Sequence, residues 1–160
     1  MSTIEITAWR ITSPKYQDTA FDGAGAEEYG GRFNSVGVPV VYTSATLSLA
    51  TLEILARVNE RSRLAECVCL PVTFEERHVT TRSASDLPDG WDARPYRPAS
   101  QAIGDEWVRS EASLVLRVPS VVVPSEHNYL INPEHSGFEE ITVGEAVPLK
   151  PDPRLLPEKD

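Results

Sequence analysis

Three residues between Tyr29 and Val58, in YGGRFNSVGVPVVYTSATLSLATLEILARV, sit awkwardly in a packed core and naturally in a reactive site. Arg32 follows Gly30 and Gly31. Glycines let backbone approach a ligand closely, and a planar guanidinium behind them suits bidentate recognition of a pyrophosphate. The plain alternative is a surface loop with a solvated arginine. Tyr42 ends the short apolar run Val38–Tyr42. Glu53 lies in a helical stretch that is apolar nearly all round. Such a helix tends to be buried, and a buried carboxylate needs partners. Arg57, four residues on and in the favourable order, is the ordinary partner for a half-exposed Glu53. The alternative is a carboxylate kept for an anionic-ligand site shared with Arg32 and Tyr42. Further along, NPEHS offers Asn132 and Ser136 as short polar groups beside a backbone stiffened by Pro133. Ser136 and Glu139 also match a helix capping box.

The elements that must position these residues form an α+β pattern. Ile4–Ile11 reads as a first strand, with Arg10 pairing with an acid at its edge, the alternative being an extra cationic residue lining the site. Gly23-Ala-Gly25 lacks the preceding strand and the third glycine of a dinucleotide-binding fingerprint. Thr46–Asn59 reads as a helix with Leu47, Ala50, Thr51, Ile54, Leu55 and Val58 on one face. Leu64–Phe74 is a strand, and Glu75–Thr81 is expected to pair back on it. Asp86–Pro98 is a long loop in which Trp91 and Tyr96 either cover a site or pin the loop to the core. Pro98–Ser110 fits a second helix. Leu114–Val118 and Val121–Val123 are strand-like runs split by Pro119, followed by Tyr129–Ile131, Phe138–Val143 and Ala146–Leu149. The expected fold is a single α+β domain over 1–150, with a mixed, mostly antiparallel split sheet and flanking helices. Residues 151–160 are expected to be a flexible tail.

Composition narrows the function classes. One hundred and sixty residues suit one domain, and the apolar fraction of 41% is ordinary for a globular protein. The net charge of −9 argues against a broad nucleic-acid or anionic-membrane surface. Any anion site must therefore be locally basic. No apolar run reaches membrane-spanning length, and the first residues lack a secretory pattern. Cys67 and Cys69 point the same way on one strand and suit buried thiols in a reducing cytoplasm. The three histidines show no metal-ligand spacing.

GGRFNSVGVPVVYTS followed by LATLEIL, and then GDEWVRSEASLVLRVPSVVVPSEHNYLINPEHS, resembles the two sequence blocks of the RES-domain family over roughly Ala8 to Leu149. One departure is Phe33, where the family more often has Trp. The resemblance implies a fold like that of ADP-ribosyltransferase toxins and an NAD-consuming toxin. Carried over by position, it implies Arg32, Tyr42, Glu53 and Ser136 as catalytic residues. Phe33, Asn34 and Asn132 join Arg32, Tyr42 and Ser136 as NAD contacts. NAD is then substrate rather than cofactor, with inorganic phosphate as a co-substrate in a phosphorolytic version, and no metal. The implied partner is a cognate Xre-type antitoxin, with a homodimer inside a larger complex. Protein ADP-ribosylation and a non-enzymatic binding module on the same fold stay open as alternatives.

Overall fold

The computed structural model describes residues 3–157, with the side chains of 58–61 excepted. Eight strands form one sheet: β1 (Glu5–Thr12), β2 (Val41–Ser44), β3 (Val68–Glu75), β4 (Val79–Thr81), β5 (Val115–Pro119), β6 (His127–Ile131), β7 (Thr142–Val143) and β8 (Val147–Pro148). The order is β4-β5-β6-β2-β1-β3-β7, with β8 also on β3. Among the described residues only β4 and β5 run parallel; every other pairing is antiparallel. The sheet nearly separates in its middle. β1 and β3 share eight register pairs, whereas β1 and β2 meet at one, Trp9 with Ser44. Past that rung the strands part and leave a seam. The fold is the mixed, mostly antiparallel split sheet expected from the strand-like runs.

The helices gather on one face. α1 (Ala24–Tyr29) leads into the glycine turn, α2 (Leu47–Leu55) follows β2, and α3 (Pro98–Ser110) precedes β5. α2 packs on Trp9, Ile11 and Cys69 through Leu47, Ala50 and Ile54. α3 packs on Leu116, Val118 and Leu130 through Trp107 and Val108, with Phe33 and Leu87 in the same cluster. The opposite face buries Ala8, Val41, Leu70, Val72, Phe74, Val115 and Ile131 against Ala20 and Phe21. Burial of this many aliphatic and aromatic side chains is what holds the two halves of the sheet together across a single rung.

Four local details depart from the sequence reading. The α2 helix ends at Leu55 rather than Asn59, because Arg57 takes an extended conformation and a 3-10 segment, Val58–Glu66, follows. The Val58 side chain lies outside the described residues. The Glu75–Thr81 segment does not fold back on β3: β4 crosses to the far edge beside β5. Val121–Val123 is a turn and not a strand, since the Ser120 hydroxyl accepts hydrogen bonds from the Val122 and Val123 amides, both at 3.0 Å. Arg10 makes no ion pair among the described residues; its Nη1 donates to the Tyr42 carbonyl across the seam at 3.2 Å.

α3 lies directly on the backbone of the glycine turn. A Cβ built on Gly104 would stand 1.6 Å from the Phe33 carbonyl oxygen. In an open helix Gly→Ala gains about 1 kcal/mol. Here overpacking against backbone reverses the sign, and Gly104→Ala is expected to cost about 2 kcal/mol or more. Urea unfolding of the variant checks this; a stabilised Gly104→Ala protein would show that α3 does not seat on the turn.

Candidate active site

Glu53 sits on α2, whose start is fixed by the Thr46 side chain accepting from the Leu49 amide at 3.0 Å. The carboxylate is half-buried, and its partner is not Arg57. Its Oε1 accepts from Ser120 Oγ and from Asn128 Nδ2, each at 2.8 Å. Asn128 is oriented in turn by Ser44 Oγ, which donates to its Oδ1 at 2.7 Å. The Ser120 hydroxyl already accepts the two amides of its own turn, so its proton is committed to Glu53. Both protein hydrogen bonds fall on Oε1. Among the described residues none falls on Oε2, which is the oxygen left for a ligand.

Arg32 is held by a tight turn in which the Gly31 amide donates to the Asn34 carbonyl at 2.9 Å. The fully buried Asn34 is the hub of that turn. Its Nδ2 donates to Ala26 and Val38 carbonyls at 2.7 and 2.9 Å, and its Oδ1 accepts the Tyr42 hydroxyl at 2.6 Å. The Phe33 amide donates to the same hydroxyl at 3.1 Å. A Cβ at position 31 would lie 2.7 Å from that hydroxyl, so only glycine fits there. Burial pushes the Tyr42 pKa well up, keeping the phenol neutral and able to donate. α3 grips the turn from outside: Ser100 Oγ donates to the Arg32 carbonyl at 2.7 Å, and Gln101 Nε2 donates to the Gly31 and Asn34 carbonyls at 3.1 Å. The buried Asp105 accepts from the Ser35 amide and hydroxyl at 2.8 and 2.6 Å. The Arg32 guanidinium reaches the other way and donates Nη1 to the Trp91 and Ala93 carbonyls, both at 2.8 Å. Burial lowers its pKa, and the facing Glu53 carboxylate opposes that shift.

Glu53 thus bears electrostatically on Arg32, whose turn rests on the Tyr42 hydroxyl, and the region between them is the candidate cleft. The structure does not bring Ser136 there. Ser136 is exposed, beyond the end of β6 opposite to Asn128, in the turn where His135 Nε2 meets the Glu111 carbonyl at the end of α3. Nor does Ser136 cap a helix: the short 3-10 turn Phe138–Glu140 has Gly137 at its start and no side-chain cap. The serine at the carboxylate is Ser120. Three other expected contacts are also interior. Phe33 is buried and stacks on Trp91 at 6.5 Å and 25°. Asn34 is consumed by its turn. Asn132 is fully buried and ties the NPEHS turn to α3, its Nδ2 donating to the Val108 carbonyl.

Sequence reasoning missed Ser120, Asn128 and Ser44. One signal was present: period-two alternation puts Asn128 and Leu130 on one face of β6, and antiparallel pairing sets them beside Ser44 and Tyr42. The sequence offers Arg10 as an edge residue pairing with an acid or as an extra cationic lining residue. It lies in the seam, where burial and the neighbouring Arg57 guanidinium lower its pKa to about 10. Its Nε is buried and finds no hydrogen-bond partner among the described residues. Of Arg10, Arg57 and Arg32, it is Arg32 on which Glu53 bears electrostatically, with Arg94 and Asp92 also acting on it.

A family model for the RES domain matches residues 7–152, and the chain belongs to that family. It is 36% identical over 148 residues to "Toxin Res" of Yersinia enterocolitica, covering 92% of this chain and 97% of that protein. It is 33% identical over 153 residues to the "Prs ADP-ribosylating toxin" of a Sphingobium species, covering 92% and 95%. Among solved structures, a chain in the Mycobacterium tuberculosis MbcT–MbcA toxin–antitoxin complex superposes with a TM-score of 0.74 at 15% identity, over 92% of this chain and 86% of that one. That likeness is one of fold.

The Tyr42 hydroxyl serves the turn, so its removal should be felt in stability. Tyr42→Phe leaves Asn34 Oδ1 and the Phe33 amide unpaired in the interior, an expected loss of about 1–3 kcal/mol. Thermal or urea unfolding measures it; a change within error would mean that the hydroxyl does not hold the Arg32 turn.

Proposed function

We propose that this chain is the toxin of a toxin–antitoxin pair and that it consumes NAD by cleaving the bond between nicotinamide and ribose. The observation that carries the reading is Glu53: one carboxylate oxygen is fixed by Ser120 and Asn128, the other is open, and Arg32 faces it. Nicotinamide leaves NAD as a neutral base from a cationic start, so no general acid is needed. The transition state is oxocarbenium-like, as in glycoside hydrolysis. Glu53 supplies a preorganised negative charge for it and an oxygen for a ribose hydroxyl. Arg32 orients the pyrophosphate, with Arg10 and Arg57 adding positive charge along the seam. Tyr42 offers its ring face, since its hydroxyl is spent on the turn. Ser120 holds and polarises Glu53. It is not a nucleophile, because its proton is directed at the carboxylate and no base stands ready to remove it. Water or inorganic phosphate takes the ADP-ribosyl group.

The Sphingobium relative's name favours a second reading, transfer of ADP-ribose to a protein. The same cleft serves both reactions, and the acceptor decides between them. An enzyme that drains NAD in the cytoplasm of its own cell needs restraint. The neighbouring fold was solved with an antitoxin, and an Xre-type antitoxin that places a carboxylate on Arg32 fits this cleft. Among the described residues no helix is long and apolar enough to cross a membrane.

Incubation of the pure protein with NAD separates the outcomes: free ADP-ribose, a phosphorylated product, a labelled protein, or intact NAD. Glu53→Gln keeps the size of the side chain and removes its charge. NAD consumption should fall by roughly two to three orders of magnitude, while NAD affinity and melting temperature stay near the parent's. Ser120→Ala should lower turnover, and Ser136→Ala should leave it unchanged. A folded Glu53→Gln protein that consumes NAD at the parent rate removes Glu53 from the mechanism. Co-purification with the product of an adjoining antitoxin gene should give a complex with suppressed activity; a fully active complex argues against control at the cleft.

A further inference from the structure

The loop 88–97 meets the cleft at Arg32, and in a specific way. Arginine has five N–H donors, two of them on Nη1. Both Nη1 bonds go to the loop, to the Trp91 and Ala93 carbonyls at 2.8 Å each. Nε and Nη2 remain, and together they form one edge of the guanidinium fork, enough for a bidentate phosphate contact. Arg32 is therefore clamped on one side and presented on the other.

The loop that clamps it is itself anchored. Leu87 is buried in the α3 cluster at its start. The Trp91 ring stacks on buried Phe33, the residue next to Arg32. The Trp91 amide donates to the Pro88 carbonyl at 3.1 Å and the Ala93 amide to the Gly90 carbonyl at 3.0 Å, which sets both acceptor carbonyls in one turn. At the loop's far end Ser100 Oγ accepts no freedom either: it donates to the carbonyls of Arg97 and Arg32. The backbone of Arg32 is thus held by α3 and its side chain by the loop that runs into α3. Asp92 and Arg94 flank the clamping carbonyls, and both bear electrostatically on Arg32. Tyr96, 41% exposed, lies close enough to Tyr42 to act on its ionisation.

We propose that the loop 88–97 is the second wall of the dinucleotide site and that Trp91 is its positioning residue, setting the Arg32 fork through the loop carbonyls. The inference rests on the NAD reading of the cleft. Trp91 touches no reacting atom; it fixes the turn whose carbonyls aim Arg32. The chemical side of the cleft, Glu53 with Ser120 and Asn128, is built on α2, β6 and the turn after β5. Loosening the loop should therefore act on ground-state binding far more than on bond cleavage.

The test is a kinetic split with a conservative rescue. Trp91→Ala should raise KM for NAD about tenfold while kcat changes by less than about threefold, and Trp91→Phe, which keeps a ring on Phe33, should restore KM to within about twofold. A second measurement needs no change in the loop. In Glu53→Gln protein, which should bind NAD without consuming it, NAD should slow amide hydrogen exchange across residues 91–94. Folded Trp91→Ala protein with the parent's KM overturns the inference. So does NAD that protects amides around Tyr42 and leaves 91–94 unaltered, and this result counts even where Trp91→Ala fails to fold. Parent protein that leaves NAD intact removes the underlying reading instead, so the two failures are distinguishable.

Discussion

The site depends on one contact: a helix laid against a bare turn. Gly104 removes the side chain that would hold α3 away from the Phe33 carbonyl. With the two backbones touching, Ser100, Gln101 and Asp105 can reach the turn's carbonyls, an amide and the Ser35 hydroxyl from a single helical face. Gln101 and Asp105 stand one turn apart, and Ser100 and Gly104 form a second such pair beside them, as a shared face requires. The same turn is filled from within by Asn34 and the Tyr42 hydroxyl. Such a turn has almost no freedom left, and Arg32 inherits that rigidity at its backbone. Rigid donors matter because an electrostatic group assists a reaction most when it need not reorganise.

Glu53 is positioned by different means. A carboxylate half removed from water needs charge-assisted hydrogen bonds to remain comfortable. The fold supplies two, and places both on one oxygen. A purely structural carboxylate would gain from spreading its partners over both oxygens, as Asp105 does with the Ser35 amide and hydroxyl. The contrast between these two acids in one protein is physical. Asp105 is satisfied by the turn it braces, and Glu53 is left half satisfied toward the cleft.

Much of the scaffold was legible in the sequence, and the reasons are local. Pro98 at the first helical position and a periodic apolar face mark α3 at its observed bounds. The Thr46 cap marks the start of α2. The discomfort of Glu53 in an apolar helix pointed to polar partners, which are Ser120 and Asn128, and Arg32 and Tyr42 stood out in the same stretch of sequence. What stayed hidden is set by contacts distant in sequence. Ser120 looked like a residue between two strand-like runs, because its hydroxyl's capture of two amides cannot be read from valines. Ser136 attracted attention through a capping pattern and a family motif, yet the direction of β6 carries it away from Asn128. The crossing of β4 to β5 is likewise a matter of topology, since three residues of strand carry no signal for the edge they join.

Charge completes the account of why this cleft suits an anion. The chain has 24 acidic and 15 Lys or Arg residues, so its mean field repels a pyrophosphate. Around Arg10 and Arg32 the charges are mixed: Arg57 and Asp22 act on Arg10, and Glu53, Arg94 and Asp92 act on Arg32. Burial is the main cause that lowers the pKa of both arginines, and Arg57 beside Arg10 and Arg94 beside Arg32 lower them further. Crowding cations in this way costs folding free energy unless something offsets it. Aliphatic packing on both faces of the sheet pays that cost in the unliganded protein. On the proposed NAD reading, a pyrophosphate at Arg32 would offset the like charge of Arg94.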